Sequence, residues 1–277
     1  MSTDTDFAAP RPTTVAPERR PTFADVVRSE WTKFHTMRST RVVVIAVVVA
    51  MVGLGAVISA GTARGFVRLT PEEQAAFDPT LVSLRAYFPV QWLVGVLGAL
   101  VMTVEYRTGM IRSTLAAVPR RGRLLAAKAL VYGVVVAVLG QAVAFGAFLV
   151  GQPMLAAQNA PTAALGDPGV TRAVCGAGLY LAGIGLLGLA LGTLVRATVG
   201  AFAILVALPL LPTVLPLLPA GIGEDIAEYW PTVAGERVMF VVDIDGGLAP
   251  WPGLALFLGF VAVVHVAAYA ALRVRDA

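Results

Sequence analysis

The sequence predicts an all-α polytopic membrane protein with six transmembrane helices. Of its 277 residues, 57% are apolar and only 14% are charged. Six uncharged runs each reach the roughly 18–20 residues that a helix needs to cross a bilayer. A soluble globular chain averages about a quarter charged residues. This chain lacks the polar groups to cover a water-facing surface, which excludes a cytosolic enzyme and a disordered protein. One cysteine, Cys175, allows no intramolecular disulfide and no cysteine metal cluster. Only Lys33 and Lys128 of the 21 basic residues are lysine, which points to a GC-rich bacterial genome.

Residues 1–21 are rich in Pro, Thr, Arg and Asp and read as a disordered tail; 22–277 form one six-span membrane domain. From Thr22, Phe23, Val26, Val27, Trp31 and Phe34 fall at helical spacing, with Arg28, Glu30 and Lys33 between them. That pattern predicts an amphipathic interfacial helix leading past Arg38 and Arg41 into the first span. The uncharged runs cover 42–63, 86–104, 129–166, 173–195, 197–223 and 246–272. Each can satisfy its backbone polar groups only as a helix in the hydrocarbon layer. The third is too long for one span and is expected to break at Pro153, Asn159 and Pro161. Arg196 marks a tight turn between the fourth and fifth runs. The spans are therefore placed at 42–62, 86–104, 129–150, 173–195, 197–218 and 250–272. The first lies too deep and is too long to be a cleaved signal.

Charge sets the orientation. With the N-terminus inside, 16 Arg/Lys fall on the inner side and five on the outer. The positive-inside rule then puts both termini in the cytoplasm of a cell-membrane protein. The segment 224–245, with six carboxylates and one arginine, faces outward.

The loop EYRTGMIRSTLAAVPRRGRLLAAK, 105–128, carries Arg107, Arg112, Arg120, Arg121, Arg123 and Lys128 against one carboxylate, Glu105. Its segment 108–117 predicts a short helix, stopped by Pro119, with Ile111, Leu115 and Val118 as its apolar side. Gly109 permits a sharp turn on leaving the membrane. A basic loop also fixes topology and touches anionic lipid. Glu105 reads either as a local ion pair with Arg107 or Arg112, or as a fixed acceptor that orients the short helix.

Three stretches resemble the membrane-spanning permease subunit of a type-2 ABC exporter, over roughly 22–275. VVRSEWTKFHTMRSTR resembles that family's approach to its first span. EYRTGMIRSTLAAVPRRGRLLAAK resembles its cytoplasmic loop, with Met110 where threonine is usual. YWPTVAGE, 229–236, resembles the stretch before its last span. The resemblance implies a permease working as a homodimer or heterodimer, each copy bound to a separate cytoplasmic ATPase subunit that holds ATP and Mg. It further implies that 22–38, with Glu30, Trp31, Lys33 and Arg38, is the elbow helix. Segment 107–118, with Glu105 at its boundary and Arg107, Gly109, Ile111, Arg112 and Leu115 within it, would be the coupling helix. Residues 218–245 would form a partly re-entrant external cap.

Other chemistry is missing from the sequence. No G-x-x-x-x-G-K-[ST] cradles a nucleotide, and no H-E-x-x-H or metal-spaced His/Cys set occurs. The chain is thus not expected to be an enzyme, to hold a cofactor or metal, or to bind nucleic acid. His35 reads as an interfacial side chain, and Cys175 as packing. The predicted spans carry no Asp, Glu, Lys or Arg at depth, which argues against proton- or sodium-driven transport. Gln91, Gln141 and His265 are the polar candidates for a pathway; Gln91 and Gln141 read first as interhelical hydrogen-bonders, and His265 as a bundle-facing side chain with a hydrogen-bond partner, with a pathway or pH-sensing role second. Gly188 and Gly192 form a G-x-x-x-G packing motif. Pro209, Pro212, Pro216 and Pro219 predict a bent end to the fifth span and a candidate gate. The low intramembrane charge suggests an apolar or amphipathic cargo. A non-transporting scaffold or sensor that binds lipid or another cytoplasmic partner is the alternative. A lipid-modifying enzyme would have to use Glu224, Asp225 and Glu228.

Overall fold

The computed structural model describes residues 21–36, 38–118, 120–217, 222–242 and 246–274, without the Asp225 side chain. Nearly all of the predicted tail and the Pro119 stop lie outside them. The described chain is helical, with no strand among the described residues. Five helices are long and apolar enough to cross a membrane: α2 (Arg38–Arg68), α5 (Tyr87–Arg107), α7 (Arg121–Ala156), α8 (Val170–Val195) and α12 (Pro250–Val274). Between and around them lie α1 (Phe23–Thr36), α3 (Pro71–Ala75), α4 (Pro79–Leu84), α6 (Met110–Ala117), α9 (Thr198–Leu210), α10 (Ile222–Glu228) and α11 (Pro231–Glu236). These five helices make the chain read as a multi-pass membrane protein.

The predicted spans differ from the helices in two places. The third does not break at Pro153: α7 runs on to Ala156 with Pro153 inside it. Gln152 holds that last turn, donating to Pro79 O and Ser83 Oγ and accepting from Ala163 N. The chain turns at Asn159 instead, in the left-handed region at φ 58°. The same helix begins at Arg121, eight residues before its predicted start. The fifth predicted span is α-helical only over 13 residues. Pro212 and Pro216 then sit in two 3-10 turns, Leu211–Thr213 and Leu215–Leu217, as proline's missing donor requires. The Arg196 turn forms as read: Arg196 ends α8 at φ 60°.

Helix α8 is the hub, packed against α5, α7, α9 and α12. Its glycines make this possible. A methyl group on Gly188 would strike Gly95 O, and one on Gly192 would lie 2.7 Å from Ala99 O. Across the other face, Gly140 of α7 lies against Gly178 O at 2.6 Å from where its Cβ would stand. In lipid, where the hydrophobic effect does not drive helix association, such close backbone approach supplies the packing.

Gly188→Ala should therefore lower stability by about 1–3 kcal/mol, because the atom it meets is backbone and cannot rotate away. Gly61→Ala, at a position with nothing within 4 Å, should not. Thermal unfolding of the two variants in detergent checks the pair.

Candidate functional site

Two lysines and two glutamates close a ring at the end of the bundle that carries α6. Lys128 Nζ lies 2.7 Å from both Glu30 Oε2 and Glu105 Oε1. Lys33 Nζ lies 2.8 Å from Glu30 Oε1 and 2.9 Å from Glu105 Oε1. The four groups come from three elements: Glu30 and Lys33 from α1, Glu105 from the last turn of α5, and Lys128 from α7. Lys128, Glu105 and Glu30 are 1%, 3% and 5% exposed, so water contributes little and the charges must satisfy one another. Lys128 also points at Val101 O, 3.5 Å away, so its three donors face three acceptors. A compact ammonium suits this alternation; the wide planar fork of arginine does not. Burial works against the charge on Lys33. The bonds and charges of Glu30 and Glu105 outweigh it and hold the ammonium above the ordinary lysine range.

Glu105 is therefore not paired with Arg107 or Arg112. Both arginines are exposed, while the carboxylate points inward to the lysines. The amphipathic reading of α1 also changes. Its buried line is Val26, Glu30 and Phe34, at i, i+4 and i+8, while Phe23 and Trp31 are 41% and 45% exposed. Glu30 turns inward because the lysines wait there. Arg38 opens α2 and is exposed.

The ring borders α6. Gly109, in the left-handed region at φ 70°, turns the chain out of α5, and α6 starts at the next residue. Ile111 is buried, Leu115 is half-buried and Arg112 is exposed. This short helix is thus pinned on one side and open on the other. It lies across a cleft from α1, lined by Val26, Ser29 and Lys33 on one wall and Met110, Ser113 and Ala117 on the other. Beneath the ring, a cavity of about 260 Å³ opens between Phe34, Leu97, Val101 and Tyr132.

The predicted pathway residues do not converge. Gln141 donates to Cys175 O across α7 and α8. His265 contacts Val261 O of its own helix, and its Nε2 is buried without a partner. Pro209 and Pro212 are buried in the α9 region. Gln91 instead belongs to a second cluster. Tyr180 Oη lies 3.0 Å from Gln91 Oε1 and 3.1 Å from Glu236 Oε1, and Tyr87 also bonds Glu236. Glu236 is the carboxylate that the uncharged spans concealed: α11 brings it to α5 and α8 from outside them. Tyr180 has one proton for two acceptors. With the Gln91 amide as placed, both bonds form only when Glu236 itself carries a proton. Burial pushes that carboxyl up to about 7, against the downward pull of the Tyr87 and Tyr180 bonds. Nearby, Asp78 ties α4 to the segment after α11, accepting from Thr80 N and Leu81 N through Oδ1 and from Val241 N through Oδ2.

No group of His, Cys, Asp and Glu among the described residues could hold a metal ion. No protein-family model matches the chain, and no curated protein matches it.

Lys128→Met should leave two buried carboxylates sharing Lys33 alone, with one negative charge uncompensated, and cost about 3–5 kcal/mol. Lys128→Met with Glu105→Gln leaves a balanced Glu30–Lys33 pair and should cost less than the sum of the two single changes. Thermal unfolding of all three variants in detergent measures the difference. For Glu236, burial raises the folded carboxyl from 4.5 to about 7, so the native state keeps its proton as pH rises through that window. Stability should fall across that window, and Glu236→Gln should flatten the slope of melting temperature against pH.

Proposed function

We propose that the chain is the membrane-spanning permease subunit of an ATP-driven exporter of the type-2 ABC class, paired with a second permease copy and driven by a separate cytoplasmic ATPase subunit. One observation carries this reading: α6 is a short helix anchored through Ile111, with Arg112 turned outward, beside a charge ring that binds α1, α5 and α7 together. An element that receives a push needs a free face for its partner and a rigid connection to what it moves; α6 has both.

The expected six-span architecture rests on α9. Its 13 helical residues extend roughly 20 Å. The two following 3-10 turns, of three residues each, add about 12 Å. Together they match a hydrocarbon core of about 30 Å. An even number of crossings puts both ends of the chain on the side where α6 and its arginines lie. The rule of positive loops makes that side the cytoplasm, and α1 is then the elbow helix.

The mechanism follows from the ring. ATP binding closes two ATPase subunits and displaces α6. Because Glu105 stands at the end of α5 and bonds lysines on α1 and α7, the displacement reaches three helices as a rigid-body tilt and not as local bending. The path between two copies opens outward and releases an apolar or amphipathic cargo.

Arg112→Glu and Leu115→Asp should each abolish recovery of the ATPase when the tagged chain is purified from native membranes in mild detergent. Both should also reduce ATP-dependent efflux, with the chain still folded. Recovery of no ATPase by the wild type, together with efflux intact in both variants, overturns the proposal and favours the scaffold.

A further inference from the structure

Part of the remaining positive charge at the α6 end of the bundle gathers in a place that the ring does not touch. A cavity of about 560 Å³ is lined by Arg120, Arg121, Gly122 and Arg123 at the start of α7, and by Tyr269 and Arg273 in the last turns of α12. The two elements lie some 150 residues apart in sequence. Arg121 fastens them: its Nη1 donates to Leu272 O at 2.6 Å. Gly122 lets them close, since a Cβ there would stand 2.9 Å from the Tyr269 ring. Arg273 lies over that same ring, 5.7 Å from its centre.

Among the described residues, the lining holds four guanidinium groups and no carboxylate. Arg120, Arg123 and Arg273 form no ion pair among the described residues. Like charges such as Arg120, Arg123 and Arg273 drawn together by a packed contact repel one another, and an anion placed among them relieves that repulsion. Guanidinium groups take phosphate oxygens two at a time. The start of the 36-residue helix α7 adds the favourable end of its dipole. The cavity sits at the ends of two membrane-crossing helices. Their outward residues Leu130, Val134 and Val138 on α7, and Val263 and Val266 on α12, are exposed and apolar. A charged headgroup seat above an apolar flank is the shape of a phospholipid.

We infer that this pocket binds the phosphate headgroup of an anionic membrane phospholipid, whose acyl chains run along α7 and α12. The inference needs the chain to span a membrane; it does not need it to be a permease. The lipid pins the end of α12 to the start of α7, the helix that carries Lys128.

The test is a titration of the purified full-length chain in detergent with phosphatidylglycerol and, separately, with phosphatidylcholine, followed by native mass spectrometry. Phosphatidylglycerol should be retained in preference. Arg123→Gln with Arg273→Gln should weaken it roughly 30-fold, as loss of two basic groups at a lipid surface predicts. Arg28→Gln with Arg41→Gln removes the same charge from α1 and α2 and should leave the affinity unchanged. Gly122→Leu keeps every charge but drives a side chain into the Tyr269 ring; it too should weaken binding, which charge alone does not explain. Equal retention of both lipids, an equal loss in the Arg28/Arg41 pair, or full affinity in Gly122→Leu overturns the inference. So does displacement of the lipid by inorganic phosphate, which would make the pocket a site for a soluble anion. Equal retention of both lipids with loss of a co-purifying protein in the Arg123/Arg273 pair would make it a protein contact instead.

Discussion

Four charges that cancel within one small volume hold the α6 end of the molecule together. Lys128 and Glu105 are almost wholly buried, and each depends on partners carried by other helices. In a low-dielectric interior, an unpaired ammonium or carboxylate costs several kcal/mol. Helix α1 therefore cannot leave α5 and α7 without giving up the Lys33–Glu105 and Lys128–Glu30 contacts, half of the ring. The interaction is not a large net source of stability, because desolvation opposes the attraction. Its effect is on specificity and stiffness: it allows one register of three helices and punishes others. That property suits an element that must pass motion along without absorbing it.

The middle of the bundle is held in the opposite way, by the absence of side chains. Helix α8 brings its glycines against the backbones of α5 and α7, so contact there is steric and nearly independent of pH. The far end uses polar groups again. Asp78 collects four backbone donors, and Glu236 shares protons with Tyr87 and Tyr180. Charge, close packing and a proton-bearing cluster thus follow one another along the bundle. Within the cluster, burial pushes the Glu236 carboxyl up to about 7. The far end is consequently a part whose packing responds to pH.

Much of the fold was legible because the bilayer leaves a chain few choices. Uncharged runs of span length become helices, and the helices over 38–68, 87–107, 170–195 and 250–274 contain or nearly match the runs that announced them. The Gly109 turn, the short helix beyond it and the Arg196 turn were equally readable, since each rests on a local backbone requirement. Pro153 misled the reading because helix breaking is a local rule, and here the distant contacts of Gln152 override it. The ring was not read from the loop. Glu105 has arginines two and seven residues away, and proximity in sequence favoured them. One signal was present: a chain that uses arginine almost everywhere keeps its only two lysines for this ring.

The sequence by itself determined that the chain is helical and that it carries enough apolar length to cross a membrane repeatedly. These follow from composition and from spacing along the chain, which hydrogen bonding in an apolar layer converts directly into helices. Tertiary structure alone decided which charges meet. Glu30 and Lys128 lie 98 residues apart, and Tyr180 and Glu236 lie 56 apart. No period or motif links such pairs. Their partnership depends on how whole helices pack, and the small residues that let backbones approach settle that packing.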